Sequence, residues 1–295
     1  MRGNLRILIR GAGELASATA HELHRAGFGR ILMLERRYPK AVRRRVCFSE
    51  AVFDGVKHVE GVTARRAADI EQAEFIQRLG DIAIAVMPLD EALERWRPDV
   101  FIEAAMLHRN WGLTKDMAPL VIALGPGYVA GKDCHAVVDT FRGPAVGAVL
   151  EDTGEHVVDE PPATIMGYSD ERVLKAARDG VFFTQHRIGD EVEGGQRIGM
   201  VVSVYSAEDY RRGVPVDAAY AVKARISGVI RGLLRNGVPV AKGDKIGDVD
   251  PRGRTADLDH ISDKARRVAE GVHEALLGLL SERESGEPPV EERAG

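Results

Sequence analysis

Hydrophobic positions along this chain fall into short blocks separated by polar, glycine-rich breaks. Leu5-Arg6-Ile7-Leu8-Ile9 alternates like a short buried strand, and Ile31-Leu32-Met33-Leu34 is a second apolar run. Between them, residues 14–26 read as a helix with Leu15, Ala18 and Leu23 on one face. The rhythm continues downstream. Residues 57–62 predict a short strand, 67–79 a helix, and 81–87 a buried strand closed by Pro88. Residues 90–96 predict a short helix with Asp90 as its N-cap, 98–104 another strand, and 120–124 the last. Strands and helices alternating at these lengths build a parallel sheet with right-handed crossovers. Near the end, apolar residues recur at helical spacing over 258–280. Glu, Pro and Gly dominate from 281 onward, which predicts a disordered tail.

The break after the first strand carries the first candidate chemistry. Arg10-Gly11-Ala12-Gly13-Glu14-Leu15-Ala16 lies between a strand and a helix, and the second strand ends in Glu35. Strand, Gly-x-Gly-x-x-Ala, helix, strand, acid is the dinucleotide-binding fingerprint in its expected context. Gly11 makes the tight turn, Gly13 lets backbone approach a pyrophosphate, and Ala16 lets the helix pack close to the strand. Free N–H groups of the first helical turn face the phosphates. Glu35 accepts hydrogen bonds from a ribose hydroxyl pair. Glu14 opposes this arrangement unless its carboxylate points away from the phosphates. The alternative is a Rossmann-like scaffold whose glycines serve only the turn.

Two further stretches bear on anions. Residues 36–45 hold six basic side chains in ten positions, among them Arg43 and Arg44. They read either as a solvated loop or as an anion clamp beside the nucleotide, since guanidinium matches phosphate bidentately. Glu35 favours a free ribose 2′-hydroxyl and the arginines a phosphorylated one. Glu103 sits at the carboxyl end of its strand, where open α/β sheets bind ligands. The last predicted strand runs into Gly125-Pro126-Gly127, with Gly131-Lys132-Asp133 following. This is a candidate ligand loop but not a P-loop, because Asp133 stands where a Ser or Thr would hold magnesium. Cys134 and His135 would face opposite ways on a strand. His21 and His24 lack the spacing of a metal motif and are expected to face solvent.

Composition narrows the classes. The 295 residues are 44% hydrophobic and 29% charged, which suits two or three globular domains. A net charge of −4 favours neither nucleic acid nor an anionic membrane. No run approaches the ~18 apolar residues of a spanning helix. The first thirty residues enter a strand and glycine turn directly, so they read as fold and not as a signal peptide. Two distant cysteines, Cys47 and Cys134, suit a reducing cytoplasm.

The second half contains an internal repeat. Residues 174–201 and 222–249 align without gaps at an offset of 48, with 11 identities in 28 positions. Lys175, Ala176, Gly180, Val181, Gly195, Ile198 and Gly199 recur as Lys223, Ala224, Gly228, Val229, Gly243, Ile246 and Gly247. Each copy reads as strand, turn, short strand, glycine turn, strand. Two such units would bury both apolar faces in one small sandwich. The copies resemble the halves of biotinyl/lipoyl domains, the barrel-sandwich hybrid. Carrier domains of that type present a lysine between the halves, but residues 202–221 contain none. Docking, dimerisation or covering the nucleotide domain is expected instead.

Taken together, these stretches resemble the YqeB-type family of selenium-dependent molybdenum hydroxylase maturation proteins, over roughly residues 5–280. The resemblance rests on residues 10–16, on Arg43-Arg44 with Phe48-Ser49-Glu50-Ala51-Val52, and on Val59-Glu60-Gly61. It continues through Leu124 to Gly131, through Val137-Val138-Asp139-Thr140 with Arg142-Gly143, and ends in Gly247-Asp248-Val249-Asp250-Pro251-Arg252. Glu14 stands where the family tends to carry Asp, and residues 152–163 depart from its Gly- and Asn-containing stretch. The resemblance implies an accessory role in installing or modifying a molybdenum cofactor.

The expected architecture is α/β. A Rossmann-like domain spans 1–125, a connecting Gly-rich segment 126–173, a barrel-sandwich hybrid 174–253, a C-terminal helix 254–281 and a tail 282–295. The first functional expectation is a cytoplasmic maturation factor holding NAD(P) or a molybdopterin dinucleotide at Gly11, Gly13, Ala16 and Glu35. Glu14 and Glu103 border that site. Arg43 and Arg44 neutralise phosphates, and the loop of Gly125, Gly127 and Lys132 closes over the ligand. Its partners would be a molybdenum hydroxylase client and a second copy of the chain. The second is a nicotinamide-dependent oxidoreductase with His135, Glu103 or Lys132 as proton donor. The third is an adaptor that keeps the fold without the ligand.

Overall fold

A computed structural model describes residues 2–107, 109–150, 162–203 and 219–285. Expectations for residues 152–161, most of 202–221 and the tail beyond 285 lie outside the described residues. The chain divides into two units. One comprises residues 1–37, 46–160 and 261–295, and the other residues 38–45 and 161–260.

The first unit is built on a nine-stranded sheet. In chain order its strands are β1 (Arg6–Arg10), β2 (Arg30–Leu34), β3 (Val56–Val59), β4 (Val62–Ala67) and β5 (Ile82–Ala85). β6 (Val100–Glu103), β7 (Leu120–Leu124), β8 (Ala136–Val138) and β9 (Val149–Leu150) follow. The spatial order is β3-β4-β5-β2-β1-β6-β7-β8-β9. All pairs from β4 to β8 are parallel, and only the edge strands β3 and β9 run antiparallel. Leaving aside the β3–β4 hairpin and β9, the core order is that of the doubly wound dinucleotide fold. β1, β5, β6 and β7 are buried almost throughout, as parallel strands covered on both faces must be.

The helices are α1 (Glu14–Arg25), α2 (Ala51–Asp54), α3 (Ile70–Arg78), α4 (Leu89–Trp96) and α5 (Asp263–Ser285). α1 is buried on more than the expected single face. Ala16 through His21 and Leu23 are all inside, because α5 packs along α1 as the sheet does on its other side. His21 is therefore buried and does not face solvent as expected, whereas His24 stays partly exposed. Their Nε2 atoms lie 3.2 Å from the Glu60 carbonyl and 2.8 Å from the Gly80 carbonyl. α3 opens on Asp69, whose Oδ1 accepts the Gln72 N–H at 2.8 Å. α4 begins one residue earlier than expected, after Pro88, so Asp90 lies in its first turn and is no cap.

Three expected boundaries shift. The sheet does not end at residue 124, since β8 and β9 extend it into the segment expected to be a connection. Residues 38–45 leave the first unit and group with the second. The last helix begins at Asp263 and continues to Ser285, past the expected start of the tail.

The second unit holds β10 (Val173–Lys175), β11 (Gly180–Phe183), β12 (Glu191–Val192), β13 (Arg197–Val202), β14 (Ala219–Lys223), β15 (Gly228–Leu233), β16 (Val238–Val240) and β17 (Lys245–Asp250). Two antiparallel sheets form, β10-β17-β15-β12 and β14-β13-β11-β16. Each sheet takes two strands from each repeat, so the copies interlock as their sequence identity predicts. Equivalent positions make equivalent contacts. Ala176 N–H donates to the Asp244 carbonyl and Ala224 N–H to the Gln196 carbonyl, both at 2.9 Å. A Cβ at Gly180 would lie 2.4 Å from the Val202 carbonyl oxygen, and one at Gly228 2.3 Å from that of Asp250. Residues 38–45 are fastened to this unit: Leu233 N–H donates to the Val42 carbonyl, and Lys40 pairs with Asp244.

Candidate nucleotide site

From β1 the chain winds outward through β2 and β5 on one side and β6, β7 and β8 on the other. The carboxyl ends of β1 and β6 thus form the point where strand order reverses, the place where open α/β sheets leave a crevice for ligands. Gly11 follows β1 with φ +100°, and its N–H donates to the Leu34 carbonyl at 2.7 Å. A Cβ here would stand 2.9 Å from the Ala104 carbonyl oxygen, so the loop after β6 presses against the glycine turn. Gly13 is the N-cap of α1, and a Cβ there would meet nothing within 4 Å. A side chain at Gly13 would thus project into open space at the start of α1, the end of a helix where anions meet free N–H groups.

Ser17 fixes this geometry from inside the helix. Its Oγ donates to the Ala12 carbonyl at 2.9 Å and accepts the Phe48 N–H at 2.8 Å. Ser49 N–H donates to the same carbonyl at 3.1 Å. Ala16 is buried against the sheet, as a small residue must be for close helix–strand packing.

Glu35 follows β2 directly, beside the turn. Its Oε2 accepts the Ala12 N–H at 2.9 Å and its Oε1 the Arg36 N–H at 2.8 Å. The acid thus holds one of the turn's own amides. Each carboxylate oxygen still has a second lone-pair direction for a ribose hydroxyl. Burial pushes the Glu35 carboxyl up from the ordinary glutamate range, against the opposing pull of the Arg36 and Ala12 amides.

Glu103 lies deeper. Its side chain is 1% exposed, accepts from Arg10 Nη1 at 2.8 Å and takes the Ala105 N–H at 2.9 Å. Burial raises its carboxyl, and the Arg10 guanidinium opposes the rise. Tyr128 is buried nearby. Burial first, then the Glu103 charge, push its phenol well up, so the hydroxyl keeps its proton. Arg10 is 33% exposed and keeps donors beyond the one bound to Glu103. Sequence reasoning missed both Arg10 and Tyr128. The available signals were a charged residue closing an apolar strand and an aromatic after Gly-Pro-Gly.

The loops after β7 and β8 meet over the same edge. A Cβ on Gly125, at φ +83°, would come within 2.7 Å of Thr140 Oγ1 and 3.2 Å of Met106 Cε. Gly127 also has positive φ, at +96°. Lys132 is exposed. Glu14 occupies the first position of α1 and is partly buried.

Arg43 and Arg44 group with the second unit and not with the glycine turn. Arg43 is buried, with Nη2 donating to the His260 carbonyl at 3.1 Å, and Arg44 Nε donates to the Leu233 carbonyl at 2.6 Å. Cys134 is buried and its thiol is pushed up to about 12, which removes it as a nucleophile at neutral pH. His135 lies at the amino end of β8, the edge opposite the crevice. Among the described residues, no group of three or more His, Cys, Asp or Glu is placed to hold a metal. No helix among them is long and apolar enough to cross a membrane.

No family model matches the sequence. Among solved structures, a succinylglutamate desuccinylase/aspartoacylase from Rhodobacter sphaeroides aligns with TM-score 0.21 and 25% identity over 27% of this chain and 21% of that one. An aspartoacylase family protein from Mesorhizobium loti aligns with TM-score 0.26 and 12% identity over 85% and 86%. Scores this low establish neither a shared fold nor shared chemistry. The Uncharacterized protein YqeB of Escherichia coli (strain K12) is 40% identical over 284 residues, which is 94% of this chain and 48% of that protein. The chain therefore spans about half the length of the curated relative it matches. Identity at that level, sustained across nearly all of its residues, makes this chain a member of the YqeB-type family.

Proposed function

We propose that this chain is an accessory protein for maturation of a selenium-dependent molybdenum hydroxylase, and that it binds a nucleotide-bearing ligand, NAD(P) or a molybdopterin dinucleotide, at the carboxyl edge of its parallel sheet. One observation carries the ligand half of this reading. The glycine turn, its open Gly13 face and the Glu35 carboxylate converge where the strand order reverses. In this reading the pyrophosphate rests on the α1 N-terminus, Glu35 receives ribose hydroxyls, and Arg10 adds positive charge beside the turn. The maturation role rests on the family resemblance of the sequence.

The second unit is of barrel-sandwich hybrid type in this reading, supported by its interlocked repeats. It serves as the surface that meets the hydroxylase or a second copy of the chain. Two buried cysteines outside any disulfide support a cytoplasmic setting.

Calorimetric titration with NAD, NADP, AMP, CMP and isolated molybdenum cofactor tests the ligand. The reading expects saturable binding of at least one of them, and no binding by any would end it. Co-purification of the tagged chain with a molybdenum hydroxylase tests the role. Recovery of the hydroxylase equal to that with an unrelated bait would leave a nucleotide-binding protein without this client.

A further inference from the structure

The edge of the sheet opposite the glycine turn carries a second concavity, of about 550 Å³. Its walls come from the amino ends of β6, β7 and β8 and from the end of α4, and they include Arg97, Lys115, Asp116 and His135. Strands in this part of the sheet are parallel, so the concavity and the crevice lie at opposite ends of the same strands. None of these residues belongs to the glycine turn, Glu35 or the Arg10–Glu103 pair at the other edge.

Three features make it a site for an anion. First, His135 is fixed in orientation and in tautomer. Its Nδ1 accepts the Val121 N–H at 3.0 Å, and the His135 backbone N–H donates to the Val121 carbonyl at 2.8 Å. With Nδ1 accepting, the proton of the neutral ring sits on Nε2. Burial, then the Lys115 ammonium, hold the ring below the ordinary histidine range, so this donor form is the one present at neutral pH.

Second, Lys115 is anchored by a bond from Nζ to the Gly131 carbonyl at 2.6 Å, which leaves two of its three hydrogens for other acceptors. Third, Arg97 stands at the end of α4 with φ +50°, a conformation that favours glycine at a helix C-terminus. Its side chain is exposed and makes no hydrogen bond or ion pair among the described residues. A large cationic residue thus occupies a strained position where glycine would relieve the strain, and its guanidinium is directed into no internal contact. Asp116 is the one acid in the lining, leaving Arg97 and Lys115 in excess.

We propose that this concavity binds a phosphate-class oxyanion, inorganic phosphate or a phosphate monoester, through Arg97, Lys115 and the Nε2–H of His135. Two cations and a neutral donor that line one concavity from three loops match the several acceptor oxygens of such an anion.

The test is calorimetric titration of inorganic phosphate into the full chain at constant ionic strength, alongside NMR of the histidine rings. Saturable binding with a shift of the His135 ring resonance is expected, and its absence overturns the proposal. Arg97→Ala and Lys115→Ala should each weaken phosphate by about tenfold or more, by the worth of a charged hydrogen bond. Gly13→Asp should leave it unchanged, since that substitution lies at the opposite edge. Phosphate lost in Gly13→Asp but kept in Arg97→Ala would assign it to the nucleotide crevice and overturn the second site. Arg97→Gly separates binding from folding: a raised Tm together with lost phosphate binding is expected. A lowered Tm would make the Arg97 side chain structural and defeat the proposal.

Discussion

Gly11 and Gly13 sit two residues apart and answer to different constraints. Gly11 combines φ +100° with a carbonyl oxygen 2.9 Å from the missing Cβ, whereas the missing Cβ of Gly13 faces open space. Gly11→Ala should therefore cost stability, about 1–2 kcal/mol from the backbone conformation alone, and more from the contact with Ala104. Gly13→Asp should fold with unchanged Tm. Chemical denaturation of both variants checks the contrast, and equal losses would show that the two glycines share one role. Glu35 supplies a pH signature. Its carboxyl is raised in the folded state by burial. It follows that this group's contribution to stability is full below the unfolded glutamate pKa and is lost as pH rises through the folded value. Stability of Glu35→Gln should fall less steeply than that of the natural protein as pH rises from the ordinary glutamate range toward neutrality. Parallel slopes in urea titrations would remove Glu35 from that dependence. At this scale Gly11, Gly13, Ala16, Glu35 and Glu103 were legible in the sequence because spacing ties them to one turn and two strand ends. Arg10 and Tyr128 were not, because their roles come from loops that meet only after the sheet has formed.

Among elements, α3 offers the cleanest local test. Asp69 caps it through the Gln72 N–H, so Asp69→Ala should cost about 1 kcal/mol of stability. A loss near zero in thermal unfolding would mean that α3 is held by packing alone. β1, β2, β5, β6 and β7 were readable as apolar runs, whereas β4 was missed because it carries Thr63, Arg65 and Arg66 among its apolar positions. β8 was also missed, since three residues after a glycine-rich loop give no period to detect. The repeat was readable because interlocked sheets need the same small residues at the same tight contacts. Gly180 and Gly228 show this, each facing a carbonyl too closely for a side chain. α1 misled the reading for a physical reason. Its outer face is covered by α5, nearly 250 residues later, and no local pattern of α1 encodes that partner.

Across the molecule, distant segments return to complete the first unit. Glu60, in the β3–β4 turn with φ +43°, accepts the Ile261 N–H at 2.7 Å and pairs with Arg266 at 2.7 Å. Burial alone would raise the Glu60 carboxyl, but Arg266 and the Ile261 amide outweigh it and hold it low. The stabilisation is thus present above the unfolded glutamate pKa and lost as pH falls through the folded value. Glu60→Ala should loosen the start of α5, seen as faster amide exchange over residues 261–268 with the sheet unaffected. Unchanged exchange there would mean that apolar packing against α1 is sufficient. The division into units was legible only in outline. Residues 38–45 read as a basic loop beside the nucleotide, yet their backbone and side chains bond to carbonyls and acids of the second unit.

The measurement that bears most directly on the central claim is calorimetric titration of the nucleotide panel into the natural protein and into Gly13→Asp, side by side. A phosphate seated on the α1 N-terminus requires saturable binding to the first, none to the second, and the same Tm for both. Equal affinity in the two proteins would contradict it, because a carboxylate over the first turn of α1 cannot coexist with a phosphate seated there.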